Sequence, residues 1–152
     1  HKAQCVFTDT GAEHGLMYER LNFVEEKLKA KHGDNFSVPR IRAKKCDGQP
    51  ITNLTDYIKH AGIFPNQLMR FCTKYFKIKP YNEFLKDKLP CSLLIGLNAD
   101  EIEKREGNHG MEGVTVEYPL VELGLTRSRC IELLNAYDLA PKLPPYMKRG
   151  GV

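Results

Sequence analysis

The order of segments in this chain of 152 residues predicts an α/β protein built on a doubly wound, mostly parallel sheet. Three observations carry that expectation. A strand-like stretch from Ala3 to Thr8 runs into Asp9-Thr10-Gly11 and is followed by an amphipathic helix pattern. An almost wholly apolar run, Ser92 to Leu97, has the composition of a strand covered on both faces. Strand and helix patterns alternate along the rest of the chain, with no internal repeat or low-complexity block.

The first strand, A-Q-C-V-F-T, is expected to be short and buried, and the polar pair Asp9-Thr10 with Gly11 breaks it at its carboxyl end. Met17, Leu21, Val24 and Leu28 then fall on one helical face while Glu19, Arg20, Glu25, Glu26 and Lys27 fall elsewhere, which predicts a helix that Gly33 closes. Phe36 to Ala43 has the pattern of a second strand, placed at an edge because Pro39 cannot donate to a ladder. Lys44 to Thr52 is loop-like, Asn53 or Thr55 caps a short helix through His60, and Gly62 ends it. Gln67 to Phe76 is predicted helical, with Pro80 starting a separate helix through Phe84 and Leu85, since proline suits a first turn. After the apolar strand come a glycine-rich loop from Gly107 to Gly113, a last strand from Thr115 to Tyr118, and a closing helix capped by Thr126. Cys130, Leu133, Leu134 and Tyr137 share a face of that helix, and the tail from Pro141 to Pro145 is proline-rich and extended.

A chain of 17.4 kDa fits one domain, here taken as 1–152. The hydrophobic share of 41% and charged share of 28% are ordinary for a globular protein, and no apolar run approaches the roughly 18 residues of a membrane span, so a soluble protein is expected. The sequence opens at His1 with no leader pattern, as a trimmed chain would. Five cysteines, at 5, 46, 72, 91 and 130, form an odd and irregular set that suits a reducing cytoplasm better than a secreted disulfide framework. None forms a C-x-x-C pair, and His14, His32, His60 and His109 are scattered, so no metal site is expected. A net charge of +4 and a pI near 8.8 favour an anionic partner, nucleotide or nucleic acid.

In a doubly wound sheet, ligands bind at the carboxyl ends of the strands, and three polar clusters are placed to serve there. The first is Asp9-Thr10-Gly11 with Glu13 and His14, where a glycine allows a tight turn beside a ligand and a carboxylate can accept from a ribose or an adenine amine. Its alternative is a strand-to-helix turn in which Asp9 or Thr10 caps the helix. The second is Arg70-Phe71-Cys72-Thr73-Lys74 with Lys77 and Lys79; on a helix, positions 70, 74 and 77 share a face and form an anion cradle, with Cys72 beside it in surroundings that favour thiolate chemistry. Its alternative is a solvated basic face over a structural cysteine. The third is Gly96-Leu97-Asn98-Ala99-Asp100-Glu101, whose carboxylates equally suit a helix start. Lys44-Lys45 offers a contact for RNA or DNA, with a solvated loop as the plainer reading, and Tyr75, Tyr81 and Phe84, interleaved with lysines as in nucleic-acid binders, suit core packing.

Taken together, D-T-G-x-E at 9–13, R-F-C-T-K-x-x-K-I-K-P at 70–80, L-I-G-L-x-A-D-E at 94–101 and Y-P-L-V-E-x-G-x-T at 118–126 resemble, in order, segments of the phosphoadenosine phosphosulfate reductase family of the PP-loop superfamily. The resemblance implies a Rossmann-like, adenine nucleotide α-hydrolase-like fold, incomplete at both ends. It implies nucleotide contacts at Asp9, Thr10, Gly11, Gly96, Asp100 and Glu101, substrate-anion contacts at Arg70, Lys74 and Lys77, and a catalytic role for Cys72. The family's phosphate loop, S-G-G-x-D-S, belongs to a segment expected before His1, and 1–152 holds no such motif. Asn98 stands where the family often has arginine and Ile102 where it often has serine.

The activity implied is sulfur chemistry on an adenine nucleotide. In a reductase, a thiolate attacks the sulfur of a sulfonucleotide; in an ATP-using version, attack at the α-phosphorus activates a substrate for sulfur transfer. ATP or a sulfonucleotide is then the substrate, and an iron–sulfur cluster would need cysteines beyond Val152 in addition to Cys72. The sulfur acceptor or thiol reductant is not specified, a homodimer stays open, and no membrane partner is implied. The competing expectation is a module of the same origin that binds a nucleotide or nucleic acid without turnover.

Overall fold

The computed structural model describes residues 3–33, 36–46, 48–64, 66, 69–101 and 111–140. Its chain divides into two units, His1–Leu89 and Pro90–Val152. The architecture is mixed α/β, with small parallel sheets flanked by helices. No helix among the described residues is long and apolar enough to cross a membrane.

In the first unit, β1 (Phe7–Thr8) pairs in parallel with β2 (Arg40–Ile41), Phe7 opposite Arg40 and Thr8 opposite Ile41. The ladder extends by one bond at each end, from Phe7 N–H to the Pro39 carbonyl at 2.9 Å and from Asp9 N–H to the Ile41 carbonyl at 2.8 Å. Both strands are shorter than the sequence pattern predicts. Ala3, Gln4 and Cys5 are exposed instead of buried, and Pro39 has no N–H to carry the second strand's ladder further back.

Between the strands runs α1 (Gly15–His32), which His14 caps with Nδ1 accepting from Leu16 N–H and Gly33 closes in a positive-φ conformation. Lys29 and Lys31 place positive charge at its carboxyl end, where the helix dipole favours it. The predicted apolar stripe forms a half-buried face: Leu21, Val24 and Leu28 are partly covered and Met17 is exposed. Glu25 ties this helix to the second strand and the residues before it, accepting from Val38 N–H at 3.5 Å and pairing with Arg40 at 4.0 Å.

The core of the first unit lies further along, where Ala43, Cys46, Tyr57, Phe71 and Phe76 are buried together. Tyr57 is at its centre, with ring centroids 5.2 Å from Phe71 and 5.9 Å from both Tyr75 and Phe76. Tyr57 belongs to α2 (Leu54–Ala61), whose start and end match the sequence signals: Asn53 Oδ1 accepts from Asp56 N–H at 2.8 Å, and Gly62 adopts the left-handed conformation with its N–H on the Ile58 carbonyl.

Phe71 and Phe76 come from a continuous helical stretch of four parts: α3 (Phe71–Thr73), a π turn (Lys74–Ile78), α4 (Lys79–Leu85) and a 3₁₀ turn (Lys86–Lys88). The sequence predicts two helices with a break before Pro80; the structure has one path through it. Pro80 has no N–H to give and its ring crowds the carbonyl four residues back, and the widened turn absorbs this, with Lys79 N–H bonding the Lys74 carbonyl. The helix starts at Phe71, after an Arg70 held at φ 33°, and Gln67 lies outside the described residues.

In the second unit, β3 (Cys91–Leu94) pairs in parallel with β4 (Val114–Glu117) in the register Cys91–Val114 to Leu94–Glu117. The expectation of a strand covered on both faces is corrected. β3 alternates half-buried and exposed positions, Leu94 is 53% exposed, and Leu97 alone is fully buried in this unit among the described residues. α5 (Pro119–Glu122) starts on a proline, and α6 (Arg127–Ala136) is capped by Thr126 as predicted, Oγ1 accepting from Arg129 N–H at 3.4 Å. On α6, Cys130 and Leu133 are half-buried while Leu134 and Tyr137 are exposed. Residues 107–110 of the glycine-rich loop, Ile102, Arg105 and His109, and the 141–145 tail lie outside the described residues.

Candidate functional site

The D-T-G segment does stand at the carboxyl end of a parallel strand, as a ligand-binding turn of this architecture would. Asp9 is 3% exposed and its carboxylate is fully occupied by protein donors. Oδ1 accepts from Gly11 N–H at 2.8 Å and from the Tyr18 hydroxyl at 2.7 Å; Oδ2 accepts two N–H groups of Arg42, at 2.8 and 2.6 Å. Burial by itself would raise the Asp9 pKa, but the hydrogen bonds from Tyr18, Gly11 and Arg42 outweigh it, and the carboxyl titrates below its ordinary value. The same contact raises the Tyr18 phenol, because the hydrogen bond to Asp9 favours the protonated hydroxyl.

Asp9 therefore acts as a fastener joining the end of β1, the first turns of α1 and the chain just after β2. It does not cap α1, which His14 does. Thr10 is buried as well; its hydroxyl donates to Glu13 at 2.9 Å and accepts from Ala12 N–H at 3.3 Å, while its carbonyl accepts from Leu54 N–H at 2.8 Å. Gly11, at φ 72°, is pressed against the start of α2: a Cβ there would sit 2.5 Å from the Asn53 Cβ. Its glycine is thus demanded by the chain's own packing. Tyr18 and Arg42 carry no sequence signal for this role. Arg42 lies 33 positions from its partner, in a stretch that reads only as strand.

Arg70, Lys74 and Lys77 are exposed, and none makes an ion pair with a carboxylate among the described residues. They do not share one regular helical face. Arg70 precedes the first turn in a left-handed conformation, with its carbonyl accepting from Thr73 and Lys74 N–H, and Lys74 and Lys77 both sit within the π turn, where side chains rotate less per residue than in an α-helix. Cys72 lies in α3, half-buried, packed against the core, with Thr73 Oγ1 3.9 Å from its sulfur.

Next to this segment a groove of about 470 Å³ runs along the helix, lined by Lys74, Tyr75, Ile78, Lys79, Asn82 and Lys86, with Glu83 as the one carboxylate among its described lining residues. Asn82 Oδ1 is buried there and has no hydrogen-bond partner among the described residues. An amide oxygen held out of water without a donor costs about 1–3 kcal/mol, so this is an unspent acceptor.

In the second unit, the Gly96–Glu101 cluster is at the carboxyl end of β3. Asp100 Oδ1 accepts from Arg127 N–H at 3.1 Å and so caps α6, a helix other than the one its sequence position suggests. Asn98 bonds Glu101 at 3.3 Å and accepts from the Cys130 thiol at 3.5 Å. Gly96 is open, with nothing within 4 Å of where a Cβ would stand. No group of three His, Cys, Asp or Glu able to hold a metal ion occurs among the described residues. No family model matches the chain, and no curated protein or solved structure matches it.

Proposed function

We propose that this chain is part of a Rossmann-like, adenine nucleotide α-hydrolase-like domain that acts on an adenine nucleotide in sulfur chemistry, in the manner of phosphoadenosine phosphosulfate reductase. The observation that carries this reading is the group of exposed cations at Arg70, Lys74 and Lys77, unneutralised by any described carboxylate and interleaved with the half-buried thiol of Cys72. The parallel pairing of both sheets, with motif residues at the carboxyl ends of β1 and β3, supports it. In this mechanism Arg70, Lys74 and Lys77 hold the anionic groups of a sulfonucleotide. The Cys72 thiolate attacks the sulfur, forming an S–S bond as the S–O bond to the nucleotide phosphate breaks. Thr10 and Gly11 place the turn beside the nucleotide, and Asp9 is a positioning residue, since its own acceptors are used.

The test is isothermal titration of ATP, 3′-phosphoadenosine 5′-phosphosulfate and adenylyl sulfate into the chain. Heat with a sulfonucleotide, lost on Arg70→Ala, is expected; no heat with any of the three overturns the proposal.

A second reading, binding without turnover, is favoured by the complete internal use of the Asp9 carboxylate. Mass spectrometry separates the two. A sulfonate adduct on Cys72 after incubation with the sulfonucleotide marks the enzyme, and binding with no adduct marks the module.

A further inference from the structure

The helical stretch from Phe71 to Lys88 displays more positive charge than one nucleotide anion uses. Lys74, Lys79 and Lys86 line the groove, all exposed and none paired to a described carboxylate. From 74 to 86 they span about 18 Å at the helical rise, a length that suits a row of phosphates better than a single one. Tyr75 and Ile78 supply an apolar wall between them, with Ile78 48% exposed. Asn82 adds the second, independent feature, a buried amide oxygen without a donor.

We propose that this groove binds single-stranded nucleic acid, with phosphates on Lys74, Lys79 and Lys86 and a base edge on Asn82. An asparagine amide offers an acceptor and two donors side by side, which is the pattern that base edges complement, and its terminal torsion is soft enough to turn toward an incoming base. With the amide turned outward, a base amine satisfies the oxygen that is orphaned in its buried position, and Glu83, which also lines the groove, accepts from amino groups in the same way. A single strand is chosen over a duplex because only unpaired bases can turn their edges toward Asn82 and their faces toward Tyr75 and Ile78. Apart from Lys74, the residues involved are not those of the proposed sulfonucleotide site, so the two proposals can fail separately.

Fluorescence anisotropy with a labelled mixed-sequence single strand of about twelve nucleotides tests this, a length within the span of single-strand sites. Affinity is expected to fall with added salt, with a log–log slope of about −2 for three phosphate contacts. Lys79→Gln combined with Lys86→Gln should weaken binding by about tenfold or more and flatten that slope, while the heat of sulfonucleotide binding stays unchanged. Asn82→Ala should weaken the mixed-sequence strand and leave an abasic strand of equal length unaffected. Circular dichroism checks that the helix survives, and the single lysine variants replace the double one if it does not. The proposal is overturned if the strand does not bind, if the lysine variants bind like the parent chain, if Asn82→Ala has no effect, or if a duplex of the same sequence binds as tightly as the strand.

Discussion

Arg42 reaches across 33 positions of sequence to place two N–H groups on one oxygen of Asp9, at 2.8 and 2.6 Å. The carboxylate is 96% buried as a side chain, while the guanidinium is 53% exposed, so the two ends of this pair are unequal in energy. Asp9 also serves Tyr18 and Gly11, and its removal strands donors in a water-poor site.

Asp9→Ala is expected to cost about 3 kcal/mol, because the half-buried donors of Gly11 and Tyr18 and the Arg42 guanidinium together lose a charged acceptor. Arg42→Ala should cost less, about 1–2 kcal/mol, since the exposed cation itself is well solvated but its loss leaves the buried Oδ2 without a donor. Urea denaturation measures both, and equal losses would show that the buried end does not dominate.

The lowered Asp9 pKa makes stability depend on pH in a defined direction. Its contribution is complete above the unfolded carboxyl value of about 3.9 and disappears as pH falls through the lower folded value. Tyr18 works at the other end: its raised pKa gives a contribution present below the unfolded phenol value of about 10, lost as pH rises through the folded one. Urea midpoints followed from pH 7 to pH 2.5 should fall less steeply in Asp9→Asn than in the parent chain. Tyr18→Phe should flatten the alkaline limb instead.

Gly11→Ala combines a positive-φ strain with a Cβ placed 2.5 Å from Asn53. A loss of about 2–4 kcal/mol is expected from overpacking and backbone strain together. Thermal unfolding reads it, and Asn53→Gly in the same chain should recover part of the loss by removing the opposing Cβ. No recovery would mean that strain alone is at work.

Arg70 occupies a left-handed conformation that an arginine adopts at a cost of about 1–2 kcal/mol. Arg70→Gly is therefore expected to leave stability unchanged or raise it by up to about 1 kcal/mol, while weakening sulfonucleotide binding through loss of the guanidinium. A variant that binds normally would remove Arg70 from the site.

Asp100→Ala should destabilise by about 1 kcal/mol through loss of the acceptor at the start of α6. Thr126→Ala should cost a similar amount, and hydrogen exchange at Arg127 and Arg129 should rise in the corresponding variant. If Asp100→Ala changes nucleotide binding but not exchange at Arg127, the carboxylate serves a ligand and not the helix.

Elements with local signals were legible in the sequence. Asn53 and Gly62 bound α2, Thr126 caps α6 and Gly33 closes α1, because each signal acts within a few residues of the bond that it makes. Alternation of strand and helix was enough for a mixed α/β chain with parallel pairing, since parallel strands need a crossover between them. That the polar residues Asp9, Thr10, Asp100 and Glu101 follow strands was legible in the sequence, and β1 and β3 do end before them.

What the sequence by itself determined, then, is the order of strands and helices, the caps that close α1, bound α2 and start α6, and the polar residues that follow the strands. Only the tertiary structure decided how those residues are used. Proximity in space made Asp9 a fastener for Tyr18 and Arg42, Asp100 a cap for a helix 27 positions away, and Gly11 a point of contact with Asn53. It also carried one helix through Pro80 on a π turn and left β3 half-covered. The physical reason is common to these cases. A carboxylate or a glycine shows in sequence what it can do locally, but its donors and its close contacts come from distant segments that only folding brings near.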